Sequence, residues 1–329
     1  MTPADRSARR RTGDFNGDFD ELAALIERSW SENKEQPLHY TSEFLRSLFE
    51  YPGASFELAP AIYRDDRLVA FVAGFSRSVR LAGRTQPIRL LSVSFLTVAP
   101  EHKRSGYGPL IWGELLQRAR GLGFDGAMDF TVEGDSWSEQ ILPVARVLRQ
   151  PTAHVFTVPF MARLLKTAES APAEQDSQTD ATTVLMEAAS QIPENVPLVR
   201  CWSQAEAEWQ CRRRIGALNA VVDFDGRRGM LNGYAIETSG AAPIRTVVLD
   251  NILWGSLAAA ECLQLAKQVV SKAAQIGARM IVTPVLGYAD MQAFAAAGFR
   301  KTRRVLRAYL TLWDVPPPES FRAMYLDVF

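Results

Sequence analysis

The hexapeptide Lys103-Arg104-Ser105-Gly106-Tyr107-Gly108 is the stretch of the chain best equipped for chemistry, and that chemistry is anion binding. Two cations supply charge, and two glycines remove side chains where a ligand must approach backbone. Pro109 follows directly and fits the first turn of a helix, where its missing N–H would have had no acceptor. The opening N–H groups of such a helix lack intrahelical partners and carry the positive end of its dipole. A pyrophosphate is the natural guest.

The elements around the loop must hold it open. Residues 90–98 are apolar and rich in β-branched side chains, as in a strand buried on both faces. Ala99-Pro100-Glu101-His102 breaks that strand. Beyond Pro109, residues Leu110, Ile111, Leu115, Leu116 and Ala119 repeat with a helical period, and Gly121 and Gly123 stop the helix. Residues 126–131 read as the next, parallel strand. A P-loop is excluded, because Gly108 is followed by Pro109 rather than by Lys-Ser/Thr. A dinucleotide fingerprint lacks its third glycine, where Ile111 stands, although Asp129 lies about twenty residues on, where a ribose-binding acid belongs. An ordinary strand–turn–helix with solvated basic residues is the plain alternative.

Lys103-x-x-Gly106-x-Gly108 after a strand resembles the [Q/R]-x-x-G-x-[G/A] loop of the GNAT superfamily of N-acyltransferases, with Lys in the first position. Ser94-Phe95-Leu96-Thr97-Val98, the basic loop, Gly108-Pro109-Leu110-Ile111 and Glu114 together resemble the NFLCVH, basic-loop and APVLI-x-E core of the N-myristoyltransferases. Upstream, Tyr40-Thr41-Ser42-Glu43-Phe44-Leu45 and Tyr51-Pro52-Gly53 are similar to that family's YSPEFL and PPG segments. The similarity spans roughly residues 37–132. Ser94 replaces the family's Asn, and the chain is shorter than a eukaryotic myristoyltransferase. The resemblance implies an α/β (α+β) chain of two GNAT-like domains in tandem, each a mixed, mostly antiparallel sheet flanked by helices. It also implies acyl-coenzyme A as co-substrate, held by Thr97, Val98, Lys103, Arg104, Ser105, Gly106, Tyr107, Gly108 and Pro109.

Composition sets the frame. A chain of 329 residues is long enough for two domains with proper cores. Its 37 basic residues balance 37 acidic ones, which gives no global electrostatic case for nucleic acid or a membrane surface. No apolar run reaches the length of a membrane span. The Arg-rich start has no apolar core of a secretory signal. Cys201, Cys211 and Cys262 are far apart, with neither metal-ligand nor disulfide spacing, so a reducing cytoplasm is the simplest location and no metal is expected.

In chain order, residues 1–13 read as a disordered tail and 14–165 as the acyl-CoA-binding domain. Within it, helices are expected over 18–30 and after Thr41, then a meander of strands across Arg64-Asp65-Asp66-Arg67. A helix near 137–148 and a strand over 154–161 finish the unit. His39 and Tyr40 stand where GNAT-like early helices wall the acceptor site. Residues 166–185, rich in Ala, Ser, Thr, Glu and Gln, read as a linker. Residues 186–329 repeat the pattern, with a central strand over 245–254, a helix over 260–274 and a Gly298-Phe299 close before the last strand. Where the first copy has its basic loop, the second has Gly255-Ser256-Leu257-Ala258 with no cation, so this copy is expected to be degenerate.

Direct acyl transfer to an amine needs oxyanion donors, a neutral amine and a place for its proton. By resemblance the donors are backbone N–H groups at Phe95, Leu96 and Val98. Candidate bases are Asp129, Glu133 and a buried terminal carboxylate at Phe329. The expected acceptor is an amine-bearing small molecule or peptide. The alternative is an inactive acyl-CoA-binding module. Phe71, Phe75 and Phe95 would border the path of a medium or long acyl group.

Overall fold

Turn chemistry and alternation account for the first strands. Asp65 and Asp66 have φ of 50° and 62°, left-handed values that Asp tolerates, and they close the tight turn expected at Arg64-Asp65-Asp66-Arg67. The computed structural model describes residues 10–30, 38–166, 180–238 and 243–327. In it the first half runs β1 (Arg10–Asp14), α1 (Phe19–Trp30), β2 (Leu38–His39), α2 (Ser42–Leu48), β3 (Pro60–Arg64), β4 (Arg67–Leu81), β5 (Ile88–Val98), α3 (Tyr107–Gly121), β6 (Gly126–Val132), α4 (Ser136–Val147) and β7 (Thr152–Leu164). Thr41 caps α2, its hydroxyl accepting from Phe44 N at 3.1 Å.

The second half runs α5 (Ala181–Ser190), β8 (Leu198–Cys201), α6 (Gln204–Glu208), β9 (Ala217–Phe224), β10 (Arg227–Thr238), β11 (Arg245–Leu253), α7 (Ala259–Gln275), β12 (Met280–Pro284), α8 (Gln292–Ala296), β13 (Arg300–Leu312) and β14 (Met324–Tyr325). The order β3-β4-β5-α3-β6-α4-β7 recurs as β9-β10-β11-α7-β12-α8-β13. The α/β class is as the sequence implied, but the strands share one large mixed sheet rather than one sheet for each half.

Among the described residues, fourteen strands form one sheet, with the path β1-β3-β4-β5-β6-β13-β7-β12-β11-β10-β2. The two halves exchange their last strands. β7, expected to close the first unit, pairs instead with β12 and β13, while β13 pairs with β6. Both are antiparallel strands with one largely apolar stretch, residues 155–162 of β7 and 305–312 of β13, so local pattern cannot say which neighbour each joins. The exchange leaves no edge between the halves. The C-terminal β14 lies parallel to β8, which itself pairs with β4.

Two boundaries differ from the sequence expectation. The tail expected over residues 1–13 is shorter, because Arg10–Asp14 forms edge strand β1 against β3; residues 1–9 lie outside the described residues. The linker expected over 166–185 overlaps α5, which Asp180 caps by accepting from Thr182 N at 3.2 Å. Val184 and Leu185 of that helix are fully buried, which favours order there. Residues 167–179 lie outside the described residues.

Candidate active site

β5 and β6 are parallel neighbours from Leu90–Gly126 to Val93–Asp129, and there the pairing stops. β5 continues along β4 and β6 along β13, so the two strands splay. At the same level β5 carries a bulge: Ala73 faces Ser94 and Phe71 faces Thr97, so Phe95 and Leu96 together oppose Val72. Phe95 sits at φ 60°, a conformation that costs a bulky L-residue about 1–2 kcal/mol. The bulge takes the amides of Phe95 and Leu96 out of register with β4 at the mouth of the splay.

The strand leads through Ala99 into a 3₁₀ turn, Pro100–His102, and then the basic loop. Arg104 and Gly106 are left-handed, at φ 70° and 78°. Gly106 caps α3 without any side-chain hydrogen bond. A Cβ on Gly106 would meet nothing within 4 Å, and one on Gly108 would meet only Val98 Cγ2 at 3.8 Å. Space therefore lies open over the helix N-terminus. Lys103, Arg104 and Ser105 are exposed around it. The Ser105 hydroxyl donates to His102 O at 2.6 Å and braces the turn. Pro109 occupies the first turn, and Tyr107 packs on His102 with ring centroids 5.6 Å apart.

The register sorts the remaining predicted residues by face. Val98 pairs with Ala70 and faces α3, while Thr97 pairs with Phe71 and is buried on the α1 side, where only its backbone could serve a ligand. Asp129 faces α3 and is 2% exposed. Trp112 Nε1 donates to its Oδ1 at 2.9 Å, and its Oδ2 has no partner. Burial raises this carboxyl to about 7, against the opposing effect of the Trp112 hydrogen bond. Glu133, by contrast, is exposed and paired with Arg307 at 2.7 Å. Phe329 lies outside the described residues. Phe71 and Phe75 pack against Phe15, Phe49 and Tyr51 as core, whereas the partly exposed Phe95 meets Tyr40 edge-on at 5.2 Å. Among the described residues, no cluster of His, Cys, Asp and Glu could hold a metal, and no helix is long and apolar enough to cross a membrane.

Residues 19–136 match the model of the acetyltransferase (GNAT) family, a span that holds the splay, the bulge and the glycine loop. The chain carries a GNAT-family domain. Its whole fold is similar to Saccharomyces cerevisiae N-myristoyltransferase with bound myristoyl-CoA, at TM-score 0.75 and 12% identity, over 94% of this chain and 84% of that one. A GCN5-related N-acetyltransferase from Kribbella flavida aligns at TM-score 0.52 and 15% identity, over 94% and 72% of the two chains. A probable N-acyltransferase from Enterococcus faecalis aligns at TM-score 0.50 and 11% identity, over 92% and 72%. No curated protein sequence matches the chain.

The second GNAT-like copy has the same skeleton and different chemistry. β11 pairs with β12 only from Thr246–Met280 to Val248–Val282, then splays. It too is bulged, because Leu249 and Asn251 face the adjacent Gly233 and Asn232, leaving Asp250 as the extra residue. At the N-terminus of α7, Glu261 Oε2 already accepts from Ala258 N at 2.8 Å, and Arg227 neutralises that carboxylate. The helix thus carries its own anion where a phosphate would sit. Sequence reading missed Trp112, which holds Asp129, and Asp250, which pairs with Arg214. The one visible signal was the polar pair Asp250-Asn251 inside the apolar run of residues 246–253.

Proposed function

We propose that the chain is an acyl-CoA-dependent N-acyltransferase with one coenzyme A site, in the first GNAT-like copy. The observation that carries this reading is the bulge at Phe95 at the mouth of the β5–β6 splay, joined by one short loop to an α3 N-terminus that no side chain caps. In this reading the pyrophosphate lies on the amides of the Gly106–Gly108 loop, with Lys103 and Arg104 adding charge and Gly108 leaving room. The thioester carbonyl accepts from the amides at Phe95 and Leu96, which stabilise the charge developing on its oxygen. A neutral primary amine attacks the carbonyl carbon, the new C–N bond replaces the C–S bond, and the amine's proton passes to base and from there to the departing sulfur, so that coenzyme A leaves as thiol. Asp129 is the base this reading favours over Glu133, since it is buried beside the splay with one oxygen unpartnered.

The acyl group is of medium or long chain. The support is the fold shared with a protein seen with myristoyl-CoA, and the partly exposed apolar surface of Phe95, Leu96 and Val98 beyond the bulge. Release of free thiol from a series of acyl-CoAs with a panel of primary amines tests the reading. Acyl transfer with stoichiometric thiol release is expected. Tight coenzyme A binding with no thiol release for any amine would leave an inactive acyl-CoA-binding module in its place.

A further inference from the structure

The helix that opens on the anion loop also carries the side chain that holds Asp129. Trp112 is wholly buried in the second turn of α3, a rise of about 9 Å along the helix from Gly106. Its Nε1 donates to Asp129 Oδ1 at 2.9 Å, and the ring of Trp137, at the start of α4, packs edge-on against it with centroids 5.6 Å apart. Bonded at one end and wedged at the other, the indole keeps a single orientation. Asp129 is the last residue of β6 to pair with β5, so it stands at the root of the splay, and its Oδ2 is buried without a hydrogen-bond partner. The two oxygens of a carboxylate share one plane, so a bond that fixes Oδ1 also settles where Oδ2 points.

The other elements around Asp129 leave that oxygen alone. β5 opposes it with Val93, and β13 with Tyr309, whose hydroxyl donates to Ser138 O on α4 at 2.9 Å. Beyond Tyr309, His154 on β7 has its Nε2 3.3 Å from the Thr157 hydroxyl. Further along β6, Glu133 is paired with Arg307. Glu114 of α3 is bound to Arg118, and Glu139 of α4 is exposed. Among the described residues, no charged group acts on this carboxyl beside burial and the Trp112 N–H.

We infer that Trp112 is a positioning residue for the base, locking Asp129 so that Oδ2 takes the acceptor's proton and tying that base to the helix that holds the donor. This rests on the N-acyltransferase reading and deepens it. One rigid element then places both parts: the amides at the start of α3 hold the pyrophosphate, and its second turn holds the carboxylate. As the amine attacks, its N–H bond breaks and the proton settles on Oδ2. The Trp112 N–H stays on Oδ1 and favours the ionised form that does the accepting.

Trp112→Phe keeps a buried ring and removes the donor. Profiles of kcat against pH, with saturating acyl-CoA and the best acceptor from the amine panel, are compared for the natural protein, Trp112→Phe and Asp129→Asn. The natural rate should fall on the acid side as Asp129 takes up a proton, and Asp129→Asn should remove that limb. Trp112→Phe should move the midpoint of the limb about one pH unit higher and lower the plateau about ten-fold, with the Kd for coenzyme A changed by less than about two-fold. Urea titrations read the same change without turnover. A carboxyl raised by burial loses stability as pH rises towards its folded value, so the loss between pH 5 and pH 9 should be larger in Trp112→Phe than in the natural protein. An acid limb that Trp112→Phe leaves in place, or an unchanged pH dependence of stability, overturns the inference even if activity and Tm fall, because lost packing lowers both and moves no limb. A limb that survives in Asp129→Asn removes Asp129 as the base and overturns the inference with it, while the N-acyltransferase reading stands. Absence of thiol release with every amine defeats that reading instead, and the urea titrations then still judge whether Trp112 controls Asp129.

Discussion

Replacing Asp129 by Asn should make the protein's stability less dependent on pH, in a direction opposite to that of most paired carboxylates. Asp129 is buried, keeps one hydrogen bond from Trp112, and has its carboxyl raised from 3.8 to about 7 by desolvation. Between those two values the folded chain holds a proton that the unfolded chain has released, so stability falls as pH rises through that window and is level above it. At 1.36 kcal/mol per tenfold change in proton affinity, the full cost above pH 7 is about 4 kcal/mol, of which about 2–3 kcal/mol is incurred between pH 5 and pH 8. Asn keeps an oxygen for Trp112 Nε1 and cannot ionise. It leaves a buried N–H₂ group in place of the orphaned oxygen, a cost of about 1–3 kcal/mol that is the same at both pH values. The informative quantity is therefore the change in variant-minus-natural stability between pH 5 and pH 8, from urea titrations at each. The variant should gain about 2–3 kcal/mol on the natural protein over that range. A difference independent of pH would show that Asp129 is ionised at pH 5, and would remove it as the base, because a carboxylate of ordinary acidity has little affinity for the amine's proton.

Gly108→Leu should abolish coenzyme A binding while the fold persists, since its side chain would enter the open space beside Val98; two equal sites per chain by calorimetry would refute the single-site reading. Gly106→Ala should cost about 1–2 kcal/mol from its φ of 78°, measurable by denaturant titration. A protease site engineered between residues 167 and 179 should yield a cut chain that stays together through native gel filtration, because β13 and β7 are interleaved between β6 and β12. Separation of the halves would contradict the sheet order. Asp327 is buried, which alone would raise its carboxyl, but Arg200 and Arg77 overcome this and hold it well below the usual carboxylate range. Its contribution is therefore full above the ordinary carboxylate range and lost as pH falls below it, and Asp327→Ala should cost about 3–5 kcal/mol at neutral pH by leaving buried arginines unpaired. Turnover measured with acyl chains of about two to sixteen carbons should peak well beyond acetyl, each buried methylene adding about 0.8 kcal/mol; a maximum at acetyl would show that Phe95 and its neighbours simply close the site.

What could be read from sequence was whatever is decided within a few neighbouring residues. The loop at 103–108 declared itself because anion binding needs glycine, charge and a helix start in one short stretch, and the structure puts them together. The strand exchange did not, since the pattern of β7 or β13 does not name its neighbour and their exchanged partners lie over a hundred residues away in the chain. Arg10–Asp14 was missed for a related reason, as its order comes from pairing with β3 rather than from its own polar composition. Asp250 is instructive because it owes its position to a bulge, and a bulge is a property of register that one strand's sequence does not contain. The same skeleton then serves two ends. In the first copy the bulge takes backbone amides at Phe95 and Leu96 out of register with β4, the feature on which the proposed thioester site rests. In the second copy it projects a side chain, Asp250, which Arg214 neutralises.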